Sequence, residues 1–543
     1  MATATFILLL LVLVALSGVI VRFVPIPLPI IQIVLGVLLA WPADGLQVGM
    51  NPEIFMLVFI PPLLFIEGVL APKREFDALK GPILGLAFGL VFLTILVFGF
   101  ALNWLLPVIP LPVAFALAAV LAPTDAVAVG SIINKNLVPS YVMHVLEGES
   151  LLNDASGLVV FRFAVAAALT GQFSPTETVL SFIAVVIGGV LCGGLMLVAT
   201  AKLLRVVAKV GDVRSEVQVL ILLLLPFAAY LLAEYFHASG ILAAVTAGLY
   251  ISASGLFGSL SVPARLQNMT LIEVLSFVFN GGVFLLLGLQ LPEIIRKIPA
   301  ELSLYGTVAE PIIAVFTLTL ILLAIRFAWI NWGSFMRGVI ERLSGKARRR
   351  ASMRIKIVMS LAGVRGAITL AGILSLPLVL PNGSPFPARD LVIFIAAGVI
   401  ICSILIASVT LPFVARGIPL DKEDVIANEE RLARVTAAEA AIARIELMVD
   451  ENQGDADKAA VRQAVASQLI AIYQQYVIAG ENDEQPSQHL MPVITEMREA
   501  ALQAETVALA KLMREKKIND TTMRMIMTEI TMQQALTEQR KTR

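Results

Sequence analysis

Charged residues are scarce in this chain. Asp, Glu, Lys and Arg make up 15% of its 543 residues, where a soluble globular protein carries about 25%. So few charges cannot clothe a water-facing surface of this size, and a wholly soluble protein is excluded. Cysteine is rarer still: Cys192 and Cys402 both sit inside apolar runs. Two isolated thiols make neither a disulfide framework nor a zinc site, and they read as small core residues. No basic residue precedes the first apolar run, which opens MATATFILLLLVLVAL and continues to Val21. That pattern suits a retained spanning helix, not a cleaved signal peptide. The sequence lacks G-x-S-x-G, and no histidine stands within the polar stretch Glu147 to Gly157, so hydrolase chemistry has no nucleophile-and-base pair here. His144 and His237 lie near the ends of apolar runs and are assigned no role. No phosphate loop, zinc spacing or nucleic-acid motif occurs, so neither an enzyme, a bound cofactor nor a nucleic-acid partner is expected.

What the chain has in excess is apolar sequence, 58% of its residues. Thirteen apolar segments recur, at about 4–21, 28–43, 52–70, 81–106, 111–133, 141–170, 177–204, 216–235, 239–257, 268–290, 306–332, 357–376 and 389–415. Runs of this length and polarity predict an all-α polytopic membrane protein. Its connecting charge is one-sided. Arg22, Lys73, Arg74, Lys80, Lys135, Lys202, Arg205, Lys209, Arg214, Arg265, the stretch from Arg337 to Lys356, and Arg416 fall on one set of loops. Only Arg296, Lys297 and Arg389 fall on the other. The positive-inside rule puts the first set in the cytoplasm, with the N-terminus external and the C-terminus cytoplasmic. The cluster Arg348, Arg349, Arg350 reads as a topology anchor or as a contact for anionic lipid. From about Pro419 charges become dense and apolar residues recur at helical spacing, with breaks at Gly454, Gly480 and Pro486. Residues 1–416 are therefore expected to form the transmembrane domain, and 417–543 a helical cytoplasmic tail.

The polar residues inside the apolar runs point to function. Segment 6 contains Glu147, Glu149, Ser150, Asn153, Asp154 and Ser156. A carboxylate at mid-membrane costs about 2.5–3.5 kcal/mol on the insertion scale and usually marks an ion or proton path. Ser150 and Asp154 are four apart and share a helix face, offering oxygen ligands to a small hard cation, while Asp154 can hold a proton instead. Segment 5 contains Pro123-Thr124-Asp125. Proline there predicts a broken helix lining a cavity, with Asp125 near a half-helix N-terminus, or a simple kink with Asp125 satisfied locally. Segment 12 places Arg365 between Gly363 and Gly366. An arginine at that depth needs an anionic partner, and Glu149 is the expected one because Asp154 must stay open to the cation. Glu67 follows Pro61-Pro62 in segment 3; it serves the ion route or marks the interface beside Lys73. Arg162, Arg326 and Glu234 are expected to pair or to snorkel. Segments 5 and 12 are seven apart in order, as are 6 and 13. That odd offset reverses direction, as an inverted repeat with crossed discontinuous helices requires.

The motifs APTDAVAV, GESLLNDASG and GVRGAITLAG, in that order, closely resemble those of the monovalent cation/proton antiporters, more narrowly the sodium/proton exchangers of the NhaP type. The resemblance covers roughly residues 1–416. It implies a thirteen-helix, homodimeric antiporter with a dimerisation domain and a six-helix core, residing in the plasma (bacterial inner) membrane. It implies that Asp154 binds the transported Na⁺, also Li⁺, or a proton, and that Thr124, Asp125, Ser150 and Asn153 complete or support the site. Asp154, Asp125, Ser150 and Thr124 would be the metal ligands, Glu149 and Arg365 a structural ion pair, and Glu67 part of the path. Electrogenic relatives carry two adjacent aspartates where this chain has Asn153-Asp154, and asparagine does not titrate. Exchange would thus be electroneutral, one proton for one cation, with alternating access. A K⁺/H⁺ antiporter of the same fold is the alternative, and a cation channel, which needs a continuous pore of ligand rings, a more distant one.

Overall fold

A computed structural model describes residues 2–41, 52–133, 137–171, 175–210, 213–251, 254–256, 260–296, 309–343, 352–418 and 424–450, with short helical pieces between 463 and 534. Lys135, Lys297, Arg348, Arg349, Arg350, Pro419, Gly454, Gly480 and Pro486 lie outside the described residues. The regular structure of the described residues is helical, apart from one isolated bridge between Val379 and Pro385. Its helices are α1 (Ala2–Ile20), α2 (Leu28–Ala40), α3 (Pro52–Leu70), α4 (Lys73–Ala78), α5 (Lys80–Leu84), α6 (Val91–Leu105), α7 (Leu111–Leu121), α8 (Ala126–Ile132), α9 (Ser140–Thr170) and α10 (Pro175–Val210). There follow α11 (Ser215–Tyr235), α12 (Gly240–Tyr250), α13 (Val262–Arg296), α14 (Ala309–Leu343), α15 (Met353–Leu361), α16 (Ala367–Leu374), α17 (Arg389–Ala415) and α18 (Asp424–Asp450). A π-helical turn, Gly85–Leu90, joins α5 to α6 into one continuous rod.

Among the described residues each apolar segment is mainly helical. Among the described residues seven helices are long and apolar enough to cross a membrane, and an eighth span results if α7 and α8 count as one. The remaining segments form shorter apolar helices, α1, α2, α3 and α12, or the interrupted pair α15 and α16. The expected break in segment 5 is present: α7 and α8 bend by 49° at Ala122–Asp125. Segment 12 is likewise unwound between Leu361 and Ala367. Segment 11 differs from expectation, since α14 runs on to Leu343.

The chain divides into two compact units, Met1–Asp421 and Lys422–Arg543. Within the first, packing sorts the helices into two groups. α1, α2, α3 and α10–α13 pack chiefly on one another, and so do α5–α9 with α14–α17. In the first group α2 and α13 cross where Gly36 meets the backbone of Leu285, Gly288 and Leu289. A Cβ on either Gly36 or Gly288 would collide with main chain, so only glycine allows this approach. An ion pair, Arg162 to Glu234 at 2.9 Å, joins α9 to α11 and hence the two groups. Each of these residues was expected to pair or to snorkel, and the structure pairs them with each other. In the second unit α18 is a single helix of 27 residues.

Candidate cation and proton site

The two interrupted helices meet at their breaks and share hydrogen bonds there. Asp125 N donates to Val364 O at 2.8 Å, and Thr369 Oγ1 donates to Val120 O at 3.1 Å. Unwinding a helix in a membrane frees backbone groups that must find partners, because lipid offers none; here each break partly satisfies the other. Asp125 caps α8, its Oδ1 accepting from Ala128 N at 2.9 Å. Its carboxylate also lies against Gly366, the residue before α16, where any Cβ would overlap it. One acidic group thus sits at the N-terminal ends of two half-helices, where the backbone dipoles are positive. The glycine, required by this close approach, is what makes the place available.

Arg365 balances the other polarity. Its Nε donates to Leu121 O at 2.9 Å, at the carbonyl end of α7, and its Nη1 donates to Gly363 O. Ser403 Oγ on α17 accepts from its backbone N at 3.1 Å. A cation there meets the negative end of a helix dipole and its orphan carbonyls.

This corrects the expected pairing of Glu149 with Arg365. Glu149 is instead bound by both terminal nitrogens of Arg326 on α14; Nη2 to Oε2 is 2.7 Å, and Nη1 bonds Oε1. Arg326 Nε donates to Met359 O at 2.8 Å. Both side chains are buried, at 2% and 1% exposure. Sequence reasoning matched Arg365 to a carboxylate because it left the half-helix carbonyls out of the account. Arg326 was expected to pair or to snorkel, and it pairs. In the structure Arg326 stands midway along α14, equidistant from Ala309 and Leu343, and is buried in the protein, so a buried partner is obligatory. The basic residues Arg337 and Arg342, which continue the helical pattern beyond 332, were the available signal.

Thr124 links this pair to the break. Its Oγ1 donates to Glu149 Oε1 at 3.2 Å and accepts from Asn153 Nδ2 at 3.0 Å. Ser150 Oγ accepts from Ala126 N at 3.2 Å. Asn153 is fully buried, and its Oδ1 has no hydrogen-bond partner among the described residues. It braces Thr124 and does not line the cavity described next.

That cavity lies between the two helix groups. Thr124, Asp125, Ser150 and Asp154 line it from one side, and Glu67 of α3 and Asn280 of α13 from the other. It has room for roughly one water-sized particle. Asp154 itself is 5% exposed. Of the residues singled out in the sequence, the structure therefore brings Asp154, Asp125, Ser150, Thr124 and Glu67 together. It sets Asn153 and Glu149 behind them and Arg365 at the helix crossing. Asn280 was missed, because a lone asparagine in an apolar run has no neighbour in sequence to betray a shared site. An oxygen-lined space of this size suits a bare inorganic cation or a proton, whereas an organic solute needs a pocket of about 300 Å³ or more.

Comparison with known proteins places the chain in a family. The family model "Sodium/hydrogen exchanger, transmembrane" matches residues 8–417. The chain is 40% identical to the uncharacterized Na⁺/H⁺ exchanger YjcE of Escherichia coli K12, over 98% of both chains. It is 41% identical to a sodium, potassium, lithium and rubidium/H⁺ antiporter of Bacillus pumilus, over 75% of this chain and 61% of that one. Among solved structures, the sodium proton antiporter MjNhaP1 of Methanocaldococcus jannaschii superposes with a TM-score of 0.57 at 20% identity, covering 77% of this chain and 99% of that chain. The chain belongs to the sodium/hydrogen exchanger family: it is a multi-pass membrane transporter, a monovalent cation/proton antiporter.

Proposed function

We propose that this chain exchanges Na⁺, and also Li⁺, for H⁺ one for one, with the two ions competing for Asp154. The observation that carries the reading is the cavity itself: one buried carboxylate, hydroxyls and a second carboxylate converge from two broken helices and α9 onto a space of about one water. An ionised carboxylate held away from water with nothing on it is costly, so either a cation or a proton occupies it, and each expels the other. Asp154 and Ser150 project from the same face of α9. Thr124 and Asp125 complete the ligand set from the break. Asp125 is also held as a helix cap, and Asn153 braces the site without titrating. The cavity lies between two packing groups, which suits alternating access by movement of the α5–α9 and α14–α17 group against the other. Glu67, on α3, belongs to that other group and stands on the ion's path.

The same reading makes the chain a homodimer of thirteen crossings in the plasma membrane, N-terminus outside and C-terminus in the cytoplasm. A second reading is supported by a specific relative: the Bacillus pumilus protein is named for potassium and rubidium as well as sodium and lithium. Here K⁺ would be carried too. Ion selectivity is tested in vesicles by dequenching of a pH-gradient dye, titrated with Na⁺, Li⁺ and K⁺ across pH 6–9. Saturable responses to Na⁺ and Li⁺ alone support the first reading, and an equal response to K⁺ replaces it with the second. Conductance that rises linearly without saturation would indicate a channel. Competition is tested directly by adding Na⁺ to purified protein in weak buffer: protons must be released, and silence overturns the scheme.

A further inference from the structure

Asn280 is the one polar group that α13 contributes to the cavity at Asp154. It lies in the interior of a 35-residue helix, followed by Gly281 and Gly282 and a run of apolar residues. Its amide nitrogen is fully engaged on its own helix, Nδ2 donating to Ser276 O at 2.9 Å and to Ser276 Oγ at 3.3 Å. An asparagine side chain has two N–H donors and one carbonyl acceptor. With both donors turned back to Ser276, the atom left for the cavity is Oδ1. Among the described residues no donor lies on that oxygen. A hard monovalent cation takes oxygen ligands, and a neutral carbonyl binds it without competing for the proton.

We infer that Asn280 is a cation ligand supplied across the interface between the two helix groups, setting cation affinity through Oδ1. The inference rests on the reading of Asp154 as the exchange site. The charged groups facing Asn280 in the cavity are Glu67, Asp125 and Asp154, and all three can hold a proton. Asn280 cannot, so it acts on only one of the two competitors. Removing its oxygen weakens the cation and spares the proton. The apparent KM for Na⁺ then rises while the maximal rate is preserved.

The test is Na⁺-driven proton flux in proteoliposomes, comparing wild type with Asn280→Leu, Asn280→Ala and Asn280→Asp. Leu keeps the volume and removes the oxygen; Asp keeps an oxygen. Losing one ligand interaction of ordinary strength corresponds to roughly a 5- to 30-fold rise in KM. That rise in the Leu or Ala variant, with Vmax within about twofold of wild type and KM returned toward wild type in the Asp variant, is the expected result. A fall in Vmax or in yield at unchanged KM would show that Asn280 only holds α13 in shape, and would overturn the inference. If Leu and Ala both fail to insert, an Asp variant whose KM is raised as far as the loss of a ligand requires also overturns it, and an Asp variant at or below wild-type KM supports it. Asp154→Asn, measured alongside, separates the two levels. Exchange retained in that variant refutes the Asp154 reading itself, whereas exchange lost there with an unmoved KM in the Asn280 variants refutes only the role of Asn280.

Discussion

The pair formed by Glu149 and Arg326 is the most searching test of the site's architecture. Arg326→Met removes the guanidinium and keeps the length of the side chain. Glu149 then loses both of its arginine contacts, retaining among the described residues only the Thr124 hydroxyl at 3.2 Å, and Met359 O loses the Arg326 donor. Breaking a buried pair by removing one partner costs about 3–5 kcal/mol, chiefly because a charge is stranded away from water. Scaling unfolding entropy to a chain of this length gives about 1–2 °C per kcal/mol, so a melting temperature lower by about 3–10 °C is expected in detergent. Glu149→Gln should cost a comparable amount by stranding the arginine, and the double variant, with neither charge, should recover much of the loss. The assay is a double-mutant cycle by scanning fluorimetry, scored on coupling and not on single losses. Arg365→Met supplies the control arm. Its guanidinium bonds the α7 carbonyl end, so Arg365→Met should destabilise but couple more weakly to Glu149→Gln. A larger coupling of Glu149 to Arg365 than to Arg326 would refute the pairing described here.

Three further outcomes follow from the same geometry. Asp154→Asn should abolish exchange while the protein still inserts and elutes as wild type; transport retained in that variant removes Asp154 from the mechanism. Gly366→Ala places a methyl group where the Asp125 carboxylate lies, so it should displace the α8 cap, lower stability by about 1–3 kcal/mol and cut transport rate several-fold; a variant with wild-type rate and melting temperature argues against the crossing. In proteoliposomes with a valinomycin-clamped potential, one-for-one exchange should reach the same ion distribution with and without voltage. A net charge per cycle would feel about 2.3 kcal/mol per 100 mV and shift that distribution, defeating the stoichiometry.

Much of the molecule was legible in the chain as written. Membrane residence follows from apolar runs too long and too poor in charge for a water-soluble surface. The two broken helices follow from Pro123 and from the glycines around Arg365, since proline removes a donor and glycine tolerates irregular backbone wherever they stand. Asp154, Ser150, Thr124 and Asp125 could be named because each is a polar residue where hydrophobicity rules, a property of one short window. Partnership was another matter. Which arginine reaches Glu149, and that Asn280 and Glu67 join a cavity built otherwise from the α7–α8 break, α9 and the start of α16, depend on distances between helices far apart in sequence. Arg326 and Glu149 are separated by 177 positions, and nothing local to either specifies the other. Only close packing in three dimensions decides such meetings, because a buried charge takes the partner that geometry brings within hydrogen-bond reach, not the one that sequence makes conspicuous.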